Sequence, residues 1–405
     1  NCPGWSMAGG PWVPAEESQR ELVETVFRIT GGSTYENVLQ LDDKYHEEKY
    51  AYQDVQVLAF PTPEGDNTEV LVPSKIESNN KEVPWGDIFN PEVQLKINER
   101  GAELSPNLEQ YKNIGIDKVN GENSWVKVEF DKEVTLRSFE LSPVRTLVRD
   151  RQYPQMDANI KVQAYVNNAL VDVATLKIPD GNWSDRSLNL TLTIPETKSK
   201  RFVFTFTGSH KIGPASMHLS SKPRLHNMEA KAAKVLRALE REVKNHYDDA
   251  CYLKANEIIN LTDKMDASGK LTWAVPEGNW TVVRFGHVNM LETNKPAMPE
   301  STGWECSKMD KQAIENHLRN GMIGNMIKDG GPIGDGKLDG LLIDSWESGT
   351  PTWTMHSEAM FAEFERRCGY SMIPYLPVTM GYIVESPEVS EKFLRDLRQA
   401  TDGIY

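Results

Sequence analysis

Between residues 52 and 213 the chain alternates apolar and polar side chains, or runs β-branched, in eight short segments. These are VQVLAF (55–60), VQLKI (93–97), WVKVEF (125–130), VTLRSFELSPV (134–144), IKVQAYV (160–166), LVDVATLKI (170–178), LNLTLTI (188–194) and RFVFTF (201–206). A strand turns successive side chains to opposite faces, so a period of two marks a sheet with one face buried and one wet. Turn clusters such as PDGN and PETKSK part the segments, and no stretch of helical period interrupts them. The expected fold of 52–213 is an antiparallel β-sandwich of jelly-roll type.

The flanks follow another rule. Pro14, with Glu16 and Glu17 in the first turn and Leu22, Val23, Val26 and Phe27 on one face, predicts a helix stopped at Gly31–Gly32. Helical period returns over 227–248, and a β pair follows over 271–288 about a turn at Pro276–Asn279. Then come a helix over 308–329, a strand over 338–344, a helix over 356–370 capped by Ser357, and a helix over 386–401 opened by Ser386–Pro387. Helices alternating with buried strands follow the logic of a (β/α) body. The expected fold class is α/β plus all-β: a partial (β/α) TIM-barrel-like body in 1–51 and 214–405, interrupted by a sandwich at 52–213. A start at Asn1 without Met and a stop at Tyr405 just after a helical pattern are expected of an internal stretch of a longer polypeptide.

The formal net charge of −14 argues against a nucleic-acid partner, because phosphate binding needs a basic footprint. No apolar run approaches the roughly 18–20 residues that span a bilayer, so membrane insertion is not expected. Cys2, Cys251, Cys306 and Cys368 show no zinc spacing and read as free buried thiols or as one or two disulfides. DGGPIGDGK (329–337) precedes its strand and has no Ser or Thr after the Lys, so it is no phosphate loop. HEEKY (46–50) lacks the second His of a zinc protease, and DKMDASGK (263–270) lacks EF-hand spacing.

The chemistry concentrates elsewhere. LLID (341–344) is a greasy strand running straight into Asp344, Trp346 and Glu347, with Trp353 beyond. In a (β/α) barrel, catalytic groups sit where strands end and in the loops that follow. Trp304 and Glu305 precede the helix near Met309, His287 ends the strand VRFGHVN (283–289), and Trp5 and Trp12 stand in GWSMAGGPW (4–12). Indole faces stack on the apolar face of a pyranose, and paired carboxylates break glycosidic bonds. Glu347 is therefore a candidate catalytic carboxylate, with Glu305 as first choice of partner and Glu229 as second. Asp344, Trp346, Trp304, His287, Lys308, Trp12 and Trp353 are candidates for binding substrate. Plainer readings stand beside these: Glu305 as a helix N-terminal acid, Glu229 on a solvated helix face, His287 as a structural histidine, and Lys308 as the ion-pair partner of Glu305. Of the five tryptophans, two or three belong to cores.

The blocks GWSMAGGPWVPAE, LTDKMDASGKLTWAVPEGNWTVVRFGH, GWECSKMDK and LLIDSWESGTPTWT, in this order and flanking an inserted sandwich, resemble the α-L-rhamnosidases of glycoside hydrolase family 106. The resemblance covers nearly all of the chain outside the sandwich, which itself resembles galactose-binding-like domains. It implies inverting hydrolysis of rhamnose-containing glycans or glycosides. It also implies a divalent cation, calcium, holding sugar hydroxyls, and a bacterial periplasmic or secreted setting. Two alternatives remain open: a non-catalytic carbohydrate-binding module built on the sandwich, or an inactive fragment of such an enzyme.

Overall fold

The computed structural model describes residues 9–66, 70–92, 96–98, 101–103, 116, 118–142, 158–179, 189–208, 216–235, 237, 239, 245–294, 297–328, 331–337 and 357–404. The chain forms two compact units. The first takes Asn1–Pro61, Asn256–Pro374 and Asp396–Tyr405; the second takes Thr62–Ala255 and Tyr375–Arg395. In chain order the first unit lays down β1 (Gly9–Gly10), β2 (Arg20–Thr30), β3 (Thr34–Val38) and β4 (Gln53–Pro61). The second contributes β5 (Lys75–Ser78), α1 (Trp85–Ile88), β6 (Lys96–Asn98), β7 (Gly101–Glu103), β8 (Ser124–Ser142), β9 (Ala158–Val166), β10 (Ala169–Lys177), β11 (Leu190–Gly208), β12 (Ser216–Ser220) and α2 (Met228–Lys231). Then follow β13 (Ile259–Asn260), β14 (Lys270–Ala274), β15 (Asn279–Asn289), β16 (Trp304–Glu305), α3 (Lys311–Asn320), α4 (Met322–Ile327), α5 (Ser357–Cys368) and α6 (Pro387–Ile404). The architecture is mixed and sheet-rich, with few helices among the described residues.

The first unit is organised by β15. With β4 it is one of two interior strands of a sheet ordered β13-β4-β15-β2, antiparallel throughout, and every one of its residues after Asn279 is buried. Its register with β2 runs from Asn279↔Thr30 to Asn289↔Arg20, and a bulge between Phe285 and Gly286 interrupts its pairing with β4. Leu39, Val57, Ala59, Leu261, Leu271 and Val282 pack around an edge-to-face pair, Trp273 and Trp280, whose ring centroids lie 5.3 Å apart.

Several expectations are corrected here. Residues 20–30 form a strand, not the second half of a helix from Pro14; only Ala15–Glu17 makes a helical turn. Apolar residues at 22, 23, 26 and 27 fit a helix face, but β15 offers eleven residues of backbone pairing. Gly31 and Gly32 do stop the element, as a strand end: a Cβ on Gly31 would come within 1.7 Å of the Pro276 carbonyl, and Gly32 has φ +91°. Residues 55–60, read as a sandwich strand, lie within β4 of the first unit's sheet. β14 and β15 do not pair with each other; β14 pairs with β3. Among the described residues of 227–248 the helical period yields one turn, α2, which ends before Ala233 at φ +58°. The helix expected over 308–329 breaks at Gly321 into α3 and α4. All strand pairs among the described residues are antiparallel. The parallel strand expected at 338–344 lies outside the described residues.

In the second unit, segments read as separate strands fuse. β8 and β11 are each 19 residues long and pair over most of their length, with register shifts between Thr193 and Thr197 and between Ser199 and Arg201. β5 joins the first half of β8 and β12 the last, while β9 and then β10 extend from the second half of β11. β9 shows the alternation most clearly, with Ala158, Ile160, Val162 and Ala164 buried and the residues between them half-exposed. Phe139, Phe202, Phe204, Leu136 and Leu192 fill the core. β5 and β12 escape a sequence reading because "KIES" and "SMHLS" are too short to display a period.

His226 gives this unit a pH dependence. It is 3% exposed, its Nδ1 accepts the Thr193 backbone N–H at 3.1 Å, and burial, then the charge of Lys231, pulls its pKa from 6.5 to about 3. The unfolded chain therefore binds the proton first, and stability falls as pH drops below the unfolded value. Urea melts of the wild type are expected to lose about 1.4 kcal/mol per pH unit from this group between about pH 6 and 4. His226→Asn, which keeps an acceptor without a titrating ring, should flatten that limb.

Candidate active site

The residues that the sequence singles out in GWECSK and GGPW meet in the first unit. Gly9 lies opposite Glu305 and Gly10 opposite Trp304 in the two-stranded pair β1–β16. Only glycine fits there: a Cβ on Gly9 would come 2.0 Å from the Trp304 carbonyl, and one on Gly303 would come 2.1 Å from Gly10. Asn294, fully buried, rivets the junction. Its Nδ2 donates to the carbonyls of Gly9 (3.1 Å) and Ser301 (2.9 Å), and its Oδ1 accepts from the Gly303 N–H (2.8 Å).

The backbone of Glu305 is held on both sides. Its N–H donates to the Glu292 carbonyl and its own carbonyl accepts from the Gln19 N–H, each at 3.0 Å. Its carboxylate, 14% exposed, lies 3.2 Å from Lys308 Nζ, which is equally exposed. Trp304 packs with Trp12 and Ile314 against Val13, Cys306 and Ala313. Burial pushes the Cys306 thiol up to about 12, so it is protonated and inert at neutral pH. Cys251, Cys306 and Cys368 are free.

Other candidates are placed differently. His287 is buried within β15, with both ring nitrogens 3.3–3.4 Å from Arg20 Nη1, which also donates to Gln53 Oε1 at 3.4 Å. Burial lowers the pKa of Arg20, opposed by the charges of Asp310 and Glu16. Trp12 spends its one N–H on His317. Glu229 belongs to the second unit, on a buried turn, not a solvated face; its two oxygens accept from the Thr191 backbone N–H (3.1 Å) and hydroxyl (2.6 Å). Burial raises its pKa, partly offset by those hydrogen bonds. Asp344, Trp346, Glu347, Trp353 and Trp5 lie outside the described residues.

The geometry thus unites Trp304, Glu305, Lys308 and Trp12, and adds Asn294 and His317, which the sequence reading missed. A lone Asn in a loop and a lone His on a helix carry no spacing that marks them. Among the described residues no group of three or more His, Cys, Asp or Glu side chains converges as metal ligands would. No helix among the described residues is long and apolar enough to cross a membrane.

A carboxylate only 14% exposed, beside a tryptophan and a cation, is an arrangement suited to sugar cleavage, and the chain falls in a glycoside hydrolase family. A family model described as α-L-rhamnosidase matches residues 1–404, and the chain belongs to glycoside hydrolase family 106. The solved structure of a rhamnosidase from Novosphingobium sp. PP1Y shares the fold, with TM-score 0.73 and 24% identity over 100% of this chain and 36% of that one. A protein of Formosa agariphila named "Putative beta-glucuronidase" is 40% identical over 147 residues, 36% of this chain and 12% of that protein. The chain therefore spans well under half the length of either relative.

Proposed function

We propose that the protein containing this chain hydrolyses α-L-rhamnosides in plant or bacterial glycans with inversion, using Glu305 and Glu347 as its pair of carboxylates. The observation that carries the reading is the seating of Glu305: backbone held on both sides, carboxylate partly open to solvent, and Lys308 and Trp304 beside it. In such a reaction one carboxyl protonates the leaving oxygen while the other draws a proton from the attacking water. Lys308 orients the Glu305 carboxylate, and Trp304, Trp346 and Trp353 offer faces for the sugar ring. Asp344, three residues before Glu347 in sequence, is the proposed source of the negative field that favours a protonated neighbour. Glu305 is preferred to Glu229 because the latter's oxygens are committed to Thr191.

The same reading keeps a (β/α) barrel built around 338–344 and a jelly-roll, galactose-binding-like second unit. The latter is supported by the two long strands β8 and β11, whose halves have different neighbours. A periplasmic or secreted setting goes with it. The test is to incubate the full-length protein with chromogenic α-L-rhamnosides, other deoxyhexosides and a β-glucuronide, with and without chelator. Turnover of rhamnosides with initial release of the inverted anomer is expected. Preference for the glucuronide, or retention of configuration, would overturn the assignment, and the chelator arm reads whether a divalent cation is needed.

A further inference from the structure

We propose that His317 is a positioning residue for Glu305: by accepting the indole N–H of Trp12, it holds the strap bearing β1 against Trp304 and Glu305. The inference rests on the role given to Glu305 above. Trp12 Nε1 donates to His317 Nδ1 at 2.9 Å, with the rings inclined by 19°. An indole nitrogen only donates, so Nδ1 carries the lone pair and the neutral imidazole keeps its proton on Nε2. His317 is 3% exposed on α3.

The path onward is short. The Trp12 ring fills the space beside Gly10 and Gly321, where a Cβ would come 2.5 and 2.4 Å from ring atoms. Gly10 is paired with Trp304, and its neighbour Gly9 with Glu305. One residue before His317, Asn316 Nδ2 donates to Glu17 Oε1 at 2.6 Å, and Ser307 N–H donates to the Glu17 carbonyl at 2.9 Å. The helix and the strap are thus joined at successive points, and the Trp12–His317 bond is the one that lies against β1. A Trp12 serving a sugar hydroxyl would need the same N–H.

The test uses the full-length protein and an aryl α-L-rhamnoside, with a thermal melt of every variant to count folded protein. Wild-type turnover, lost in Glu305→Gln, establishes the reading beneath. His317→Leu and Trp12→Phe are then expected to lower kcat by about 10- to 100-fold with KM within about twofold, as a misplacement of about an ångström does. His317→Asn, whose side-chain oxygen can take the indole N–H, is expected to recover kcat to within about threefold. The double variant Trp12→Phe/His317→Leu should be no worse than either single, because both remove one interaction. Wild-type kcat in both single variants, or a His317→Asn as impaired as His317→Leu, overturns the positioning role. If His317→Leu does not fold, Trp12→Phe against His317→Asn decides on the same terms. Retained turnover in Glu305→Gln topples the site assignment instead.

Discussion

Glu305→Gln is expected to lower kcat on an aryl α-L-rhamnoside by about 10²–10⁴-fold, the usual worth of a positioned general acid or base. The substitution keeps the shape of the side chain and removes its ability to exchange a proton. The backbone bonds to Glu292 and Gln19 do not involve the carboxylate, so β16 should stay paired with β1 and the melting temperature should hold. Lys308, 14% exposed, keeps access to water when its partner becomes neutral. Glu347→Gln is expected to show a loss of the same order. Activity of Glu305→Gln within about tenfold of the wild type would remove it from the reaction, since no essential proton carrier is that dispensable.

The second large effect concerns stability. Asp66 is 2% exposed in the second unit; its Oδ1 accepts from Arg224 Nη2 at 2.5 Å and its Oδ2 from the Tyr382 hydroxyl at 2.7 Å. The Arg224 guanidinium also lies 4.2 Å from the centre of the Tyr382 ring. Asp66→Ala leaves a guanidinium only 12% exposed without its counter-ion and is expected to cost about 3 kcal/mol. A urea melt reads this as a fall in midpoint. The double variant Asp66→Ala/Arg224→Leu should regain much of the loss, because removing both charges also removes the desolvation penalty. If the double variant is as unstable as the single, packing and not the orphaned charge accounts for the effect.

Strands that bury one face and wet the other were open to a sequence reading, as at 160–166 and 201–206, since the burial pattern is written directly into the order of side chains. The two helices near 357 and 387 were equally legible from their apolar period, the second also from its Ser386–Pro387 start. Residues 20–30 were not: Leu22, Val23, Val26 and Phe27 suit either element, and the deciding partner, β15, lies some 250 residues further on. The site was legible in kind, through Trp304, Glu305 and Lys308 close together, but not in construction. Nothing in the sequence says that Gly9 and Gly10 will lie against them, that Asn294 will bind three backbone groups, or that the indole of Trp12 will face a histidine.

The place of β15 in the sheet bears on how the polypeptide leaves the ribosome. β2 and β4 are both completed well before it, with Pro61 opposite Trp280, a separation of 280 − 61 = 219 residues. At about 5–20 residues per second, that is a delay of roughly 10–45 s. During this interval two apolar ribbons have open edges, the condition under which nascent chains stick to one another. Newly made copies are therefore most vulnerable to clumping while residues 62–279 are being added, and a holdase that masks residues 20–30 and 53–61 should raise the yield of soluble product more than one acting after release.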